Sequence, residues 1–250
     1  MTHNNFNTFL DDAYNKINFS EKPILLKYTE TISFDLNQIP NNILNKSKII
    51  YMYLPNKKCY LGIDHSIFLK ANSKKKLNNL KNNTYKVISN TNNKLLFFGG
   101  ASFNLKKEMI SIWKDIPKSN FILPRILISN NKKLTYIKKI NKNTTKQSIL
   151  KEFRYYIDLI NSKQNKVEKN TTPNIKLILE KPNYKQYIHN VNKIIDDIKN
   201  NSLEKVVISR LSKYSLNKKI SISNLINYLN KHHSNCFNYV ISFDQNKYFI

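Results

Sequence analysis

Glycine is nearly missing from this chain of 250 residues: there are three, Gly62, Gly99 and Gly100. That excludes the glycine-rich phosphate loops, because neither G-x-G-x-x-G nor Gly-Lys-Ser/Thr occurs anywhere. Cysteine is limited to Cys59 and Cys236, too few for a disulfide framework and in no metal-ligand spacing, which fits a reducing compartment. No apolar run approaches the roughly 20 residues that span a bilayer. The N-terminus, MTHNNFNTFLDDAY, has no basic start followed by an apolar core, so it does not read as a signal peptide. These absences predict a soluble, cytoplasmic protein without a membrane partner. Arginine is the last deficit: of 42 basic residues only Arg125, Arg154 and Arg210 are arginine.

That deficit decides how the net charge of +26 is read. A strongly basic chain invites a nucleic-acid partner, since phosphate contacts favour basic surfaces. Nucleic-acid readers, however, rely on the bidentate guanidinium, and here the charge is almost all lysine spread along the chain. Lys, Asn, Ile, Tyr and Phe abound while Ala, Gly and Pro are scarce, the signature of A/T-biased coding. The reading is therefore no nucleic-acid partner, with a field that attracts small anions. The competing reading, a non-catalytic basic binding protein, has charge as its only support.

What is present suffices for a core. Hydrophobic residues make up 40% of the chain, with 13 Phe and 15 Tyr, and a globule of this length buries roughly 70–75% of its unfolded surface. Helical spacing predicts helices over 6–19, 146–168, 184–199 and 222–232. Apolar runs predict strands over 22–28, 48–54, 59–70 (bending at Gly62), 94–104, 121–129, 134–140 and 206–208. Asn130-Asn131 and Asp244-Gln245-Asn246 read as hairpin turns, and 165–174 as a linker. Strands that come as hairpin neighbours predict an α+β fold of mostly antiparallel sheets flanked by helices.

The segment Lys205-Val206-Val207-Ile208-Ser209-Arg210 carries the sharpest chemical signal. Strand alternation puts Lys205, Val207 and Ser209 on one face. An amine held among apolar neighbours loses hydration, its neutral form is favoured, and it becomes a general base. Against this, a lysine flanking a strand is commonplace in so lysine-rich a chain. Weaker candidates are His189, the pair His232-His233, the carboxylates Asp196-Asp197, and Gly99-Gly100, where two adjacent glycines imply a backbone approach that a side chain would block.

At these residues the chain resembles chorismate-utilising enzymes, and within them isochorismate synthases. "YKQYIHNVNKIIDDIKNNSLEKVVISR" resembles the helix, turn and Lys-Val-Val-Leu-Ser-Arg strand that open the chorismate-binding domain. "FFGGASFN" is similar to a Phe-Gly-Gly-x-x-Phe-Asp segment, with Asn104 where Asp is common. "WKDIPKSNFILPRILI" resembles the stretch after it, and "YLGIDHSIFLK" an earlier Gly-Ile/Leu-Gly strand in which Asp64 replaces the second glycine. The resemblance implies an N-terminal α+β region over 1–170 and the start of a chorismate-binding domain over 180–250, incomplete at the C-terminus. It also implies chorismate as substrate, with Lys205 as the catalytic base that activates water for attack at C2. Branches that use an amine nucleophile usually carry glutamine at that position. A glutamate acid and glutamates holding Mg2+ are expected beyond Ile250. The implied protein is a monomer serving menaquinone synthesis. A salicylate synthase and an inactive truncated product are the alternatives, and residues 1–250 alone are expected to be inactive.

Overall fold

The structure, a computed structural model, describes residues 2–17, 23–46, 48–102, 104–105, 118–162, 173–244 and 247–250. The chain forms two compact units, residues 1–166 with 222–250, and residues 167–221.

The larger unit is built on a sheet of nine described strands: β1 (Ile24–Thr31), β2 (Ile49–Tyr53), β3 (Cys59–Lys70), β4 (Lys86–Ser89), β5 (Phe98–Ala101), β6 (Ser119–Ser129), β7 (Lys133–Ile140), β10 (Asn238–Asp244) and β11 (Lys247–Phe249). The order is β11-β10-β2-β3-β6-β7-β1-β4, with β5 also pairing β6. All pairs are antiparallel except β1 with β4. The α+β class expected from the sequence is the one observed.

Helices α1 (Thr2–Lys16), α2 (Asn41–Lys46), α4 (Lys146–Asn161) and α6 (Ile222–His232) belong to this unit, as does the short α3 (Lys74–Asn79). Helical spacing explains why they pack: Phe6, Leu10 and Ala13 of α1, and Ile149, Phe153, Tyr156, Ile157 and Ile160 of α4, each form one buried stripe. These stripes meet Ile24, Leu26 and Tyr28 of β1 and Ile126, Ile128 and Tyr136 of the neighbouring strands in one core. Phe6 sits at its centre, with ring centroids 3.9 Å from Phe153 and 4.8 Å from Tyr28. On the opposite sheet face Leu25, Ile67, Leu123 and Ile137 form a second, smaller core.

A polar node locks α4 to the sheet. Glu152 accepts from Arg125 Nη1 at 2.8 Å and from the Tyr136 hydroxyl at 3.1 Å, and it pairs with Lys138. The second Arg125 nitrogen, Nη2, donates to the His65 carbonyl at 3.2 Å. Every charge in the node has an opposite partner, as half-buried charges require.

Several local expectations need correction. Gly62 is not a bend; it lies in register between Ile50 and Leu127. The irregularity falls two residues on, at Asp64, whose φ of 50° is left-handed, followed by a register shift between His65 and Ile67. Aspartate tolerates that region better than most residues, and its side chain is anchored there. Oδ2 accepts from the Tyr156 hydroxyl at 2.7 Å and Oδ1 from the Lys48 amide at 3.3 Å. Asp64 thus fits a backbone position that suits glycine.

The expected strand over 94–104 shrinks to β5. A Cβ at Gly99 would stand 2.0 Å from the Asn120 carbonyl oxygen and 2.8 Å from Phe121 Cα, both backbone atoms that cannot yield, whereas Gly100 has open space around it. Only one glycine of the pair is sterically required. Gly99→Ala should cost at least about 1–3 kcal/mol, the usual penalty of overpacking, and Gly100→Ala should stay within about 0.5 kcal/mol. Thermal melts of the two variants check this, and equal melting temperatures would contradict it.

The smaller unit contains β8 (Ile175–Lys181), α5 (Tyr184–Lys199) and β9 (Leu211–Leu216). β8 and β9 form a two-stranded antiparallel ribbon. α5 begins at a capping box in which Asn183 Oδ1 accepts from the Gln186 amide at 3.0 Å and Gln186 Oε1 from the Asn183 amide at 3.3 Å. The strand expected over 206–208 is absent: residues 205–210 have no ladder, and the extended structure starts at Leu211. A strand exists only where its backbone finds a partner, and β8 pairs with residues 211–216 alone. The expected end of the 146–168 helix and most of the expected linker lie outside the described residues, as does the Gln245-Asn246 turn between the paired β10 and β11.

Candidate functional site

The segment that carries the sharpest signal runs from the end of α5 to the start of β9. α5 stops where Asn201 takes a left-handed φ of 57° and donates its amide to the Ile198 carbonyl at 3.0 Å. Ser202 Oγ donates to the Asp197 carbonyl at 2.6 Å. This fixes the direction in which residues 203–210 leave the helix. The far end of the segment is fixed too. Arg210 pairs with Glu180 of β8, and its guanidinium carbon stands 5.6 Å and 5.8 Å from the ring centroids of Tyr184 and Tyr187 on α5. One arginine therefore ties strand, helix and segment together through an ion pair and two cation–π contacts.

Between these anchors the side chains are open to water. Lys205 is exposed, and Val207 keeps 85% of its surface accessible. The alternation expected for a strand, with Lys205, Val207 and Ser209 facing a cavity, is not what residues 205–210 adopt. Among the described residues none buries the Lys205 amine.

The other candidates occupy separate elements. His189 is exposed on α5. His232 stacks on Tyr228, with centroids 4.4 Å apart, at the end of α6. Asp196 and Asp197 lie on α5 near its C-terminus. Asn104 follows β5, and its carbonyl accepts from Ser102 Oγ at 3.4 Å. Among the described residues no group of three His, Cys, Asp or Glu side chains could hold a metal ion. The described donors therefore do not fit a magnesium site, and no chemistry through one is assigned to them.

A buried amine does occur, at a position passed over in the sequence. Lys27, in the middle of "ILLKY", is only 7% exposed, and burial lowers its pKa from the ordinary lysine value. Its Nζ donates to the Asn92 carbonyl at 2.6 Å and to Asn92 Oδ1 at 3.1 Å. These bonds tie β1 to the chain after β4 and occupy the amine. The clue was available: a lysine inside an apolar run, the same pattern that singled out Lys205. A cavity of about 800 Å³ lies in the larger unit and is lined by Leu69, Leu77, Leu80, Tyr85, Phe97 and Phe121 among others. It presents no cation to an anionic substrate.

Comparison with known proteins gives a consistent picture. The sequence profile of a family described as chorismate binding enzyme matches residues 12–250. Among solved structures, the menaquinone-specific isochorismate synthase of Escherichia coli is similar in fold, with a TM-score of 0.56 at 14% identity, over 96% of this chain and 53% of that one. A Bacillus anthracis protein named as a 2,3-dihydroxybenzoate-specific isochorismate synthase gives a TM-score of 0.42 at 15% identity, over 81% of this chain and 42% of that one. The chain thus spans about half the length of the solved structures it matches. No curated protein sequence matches it.

Proposed function

The chain belongs to the chorismate-binding enzyme family, and from that premise we propose that it carries the catalytic base of an isochorismate synthase serving menaquinone synthesis. In this reading the reaction is an isomerisation: water adds at C2 of chorismate and the C4 hydroxyl departs as water. Lys205, as the neutral amine, takes the proton from the attacking water. A glutamic acid from the half of the fold that this chain does not span protonates the departing hydroxyl. Magnesium, bound in that same half, would anchor the substrate carboxylate through oxygen ligands.

One observation carries the proposal: lysine stands at position 205, at the head of Val-Val-Ile-Ser-Arg, where the amine-using branches usually have glutamine. The likeness in fold to a menaquinone-specific enzyme supports the pathway assignment. Product analysis tests it. With magnesium, residues 1–250 alone should leave chorismate unchanged, because they supply a base without its acid. The same residues joined to the rest of the fold should form isochorismate, identified by its proton NMR spectrum. Release of pyruvate, read with a coupled dehydrogenase, would mark a salicylate synthase instead, and no turnover in the joined protein would refute both.

A further inference from the structure

Lys205 lies on a stretch that no ladder holds. Residues 203–210 lead from the end of α5 to the ribbon, where pairing resumes at Leu211 opposite Lys181 of β8. Their course is set by how far, and at what angle, the end of α5 stands from that ribbon. β8 passes into α5 through Pro182 and Asn183 alone, a short joint at the first turn of the helix. Apolar burial does not fix the angle at this joint, because α5 has no buried side chain.

Arg210 supplies what burial does not. It stands at the ribbon end of the stretch, yet it reaches the opposite end of the helix. Its guanidinium carbon lies 5.6 Å from the Tyr184 ring and 5.8 Å from the Tyr187 ring, both in the first turn of α5, while Nη2 pairs with Glu180 near the end of β8. A planar guanidinium approached from two elements at once has few orientations open to it. The pair contributes little net stability. Its side chains keep only 25% and 20% of their surface accessible, so lost hydration offsets much of the attraction. Arg210 Nε is moreover shielded from water without a hydrogen-bond partner, which is a further cost. Such a contact acts through direction rather than strength. We propose that Arg210, with Glu180, is a positioning residue for the Lys205 amine: the pair fixes the angle of α5 against the β8–β9 ribbon and thereby the course of residues 203–210. The inference rests on the assignment of Lys205 as the base, and deepens it by saying what holds that base in place.

Spin-label distance measurements on the full chain test it. Cys236→Ser removes the exposed native thiol, Cys59 is buried, and Lys176→Cys on β8 with Lys205→Cys carry the two nitroxides. Double electron–electron resonance should give one narrow distance distribution in this background. Arg210→Gln and Glu180→Gln should each broaden it by about twofold or more, since an unanchored stretch of this length samples distances on the order of 10 Å. Arg210→Lys, which keeps the charge and loses the planar fork, should recover part of the narrowing. Amide exchange of residues 211–216 should stay unchanged throughout. An unchanged distribution in both glutamine variants would overturn the proposal. So would loss of amide protection along β9 in them, which would make the pair a plain stabiliser of the ribbon. In the protein joined to the rest of the fold, Arg210→Gln should lower kcat by roughly 10-fold or more with KM little changed, and should add nothing to Lys205→Ala. An additive loss would count against the positioning role. Absence of turnover in the joined protein would refute the assigned reaction while the distance measurement still decides the positioning, so the two failures are separable.

Discussion

Lys205→Ala, in a protein that unites this chain with the half proposed to bear the acid and the metal, is expected to lower kcat for the proposed isochorismate formation by about 10²–10⁴-fold, the usual contribution of a positioned base. The KM for chorismate should change only a few-fold, because the amine acts on water in the transition state and makes no ground-state contact with the substrate carboxylates. Small primary amines added to the alanine variant should restore part of the rate, which a collapse of structure would not allow. A lysine in water is a cation at neutral pH, and only one held out of water becomes a base. Lys205 is exposed among the described residues, so the proposed chemistry requires the amine to lose water when substrate is bound. If the variant kept near-normal turnover, the lysine would be a structural residue and the assignment of water activation to it would fail.

Elements whose pattern is local were legible in the sequence. α5 and α6 begin and end where their apolar stripes do, and β3 spans the predicted 59–70. β8 was missed because its alternation is broken: the pairing with β9 shifts between Leu177 and Leu179, so Leu177, Ile178 and Leu179 run together beside lysines and read as neither strand nor helix. The opposite error came from Val206-Val207-Ile208, three apolar residues that look like a buried strand. Burial is a property of the partner as well as the segment, and among the described residues β8 pairs with 211–216 and not with 206–208.

The candidate site shows the same division. The identity and spacing of Lys205 and Arg210 were readable, but not that Glu180 and two tyrosines hold Arg210, since those contacts join β8, α5 and the segment between them. Lys27 and Lys205 carry the same local signature, a lysine beside consecutive apolar residues, yet one is buried and bonded while the other is open. Sequence pattern selects such lysines; packing decides what each one does. Asp64 is the instructive departure from the family pattern, because its left-handed backbone and its bonds to Tyr156 and Lys48 explain how a carboxylate replaces glycine there.

The larger unit should unfold cooperatively as pH rises above about 10, the ordinary value for tyrosine. Tyr28 is pushed up to about 12, first by burial and then by the neighbouring Glu30 carboxylate. Tyr51, Tyr136 and Tyr156 are raised further, in each case mainly by burial. The phenolate at position 136 would also face Glu152, and that at 156 would face Asp64. These folded-state values lie above the unfolded one, so the stability they contribute is complete below pH 10 and lost as pH rises beyond it. Three tyrosines that ionise only on unfolding give a slope of about 4 kcal/mol per pH unit, from 1.36 kcal/mol each. Against a typical stability of about 5–15 kcal/mol, the fold fails within a few pH units. Lys27 works in the other direction, since its lowered pKa makes stability rise with pH below its unfolded value of 10.5, but it is one group against several. Exposed tyrosines such as Tyr155 and Tyr228 need no unfolding to ionise, so only the later part of the tyrosinate absorbance at 295 nm, from the buried tyrosines, should appear together with the loss of far-ultraviolet circular dichroism. If instead all the tyrosines titrated smoothly near pH 10 while the helical signal persisted, the aromatic core around Phe6 and Tyr136 would not be packed as described.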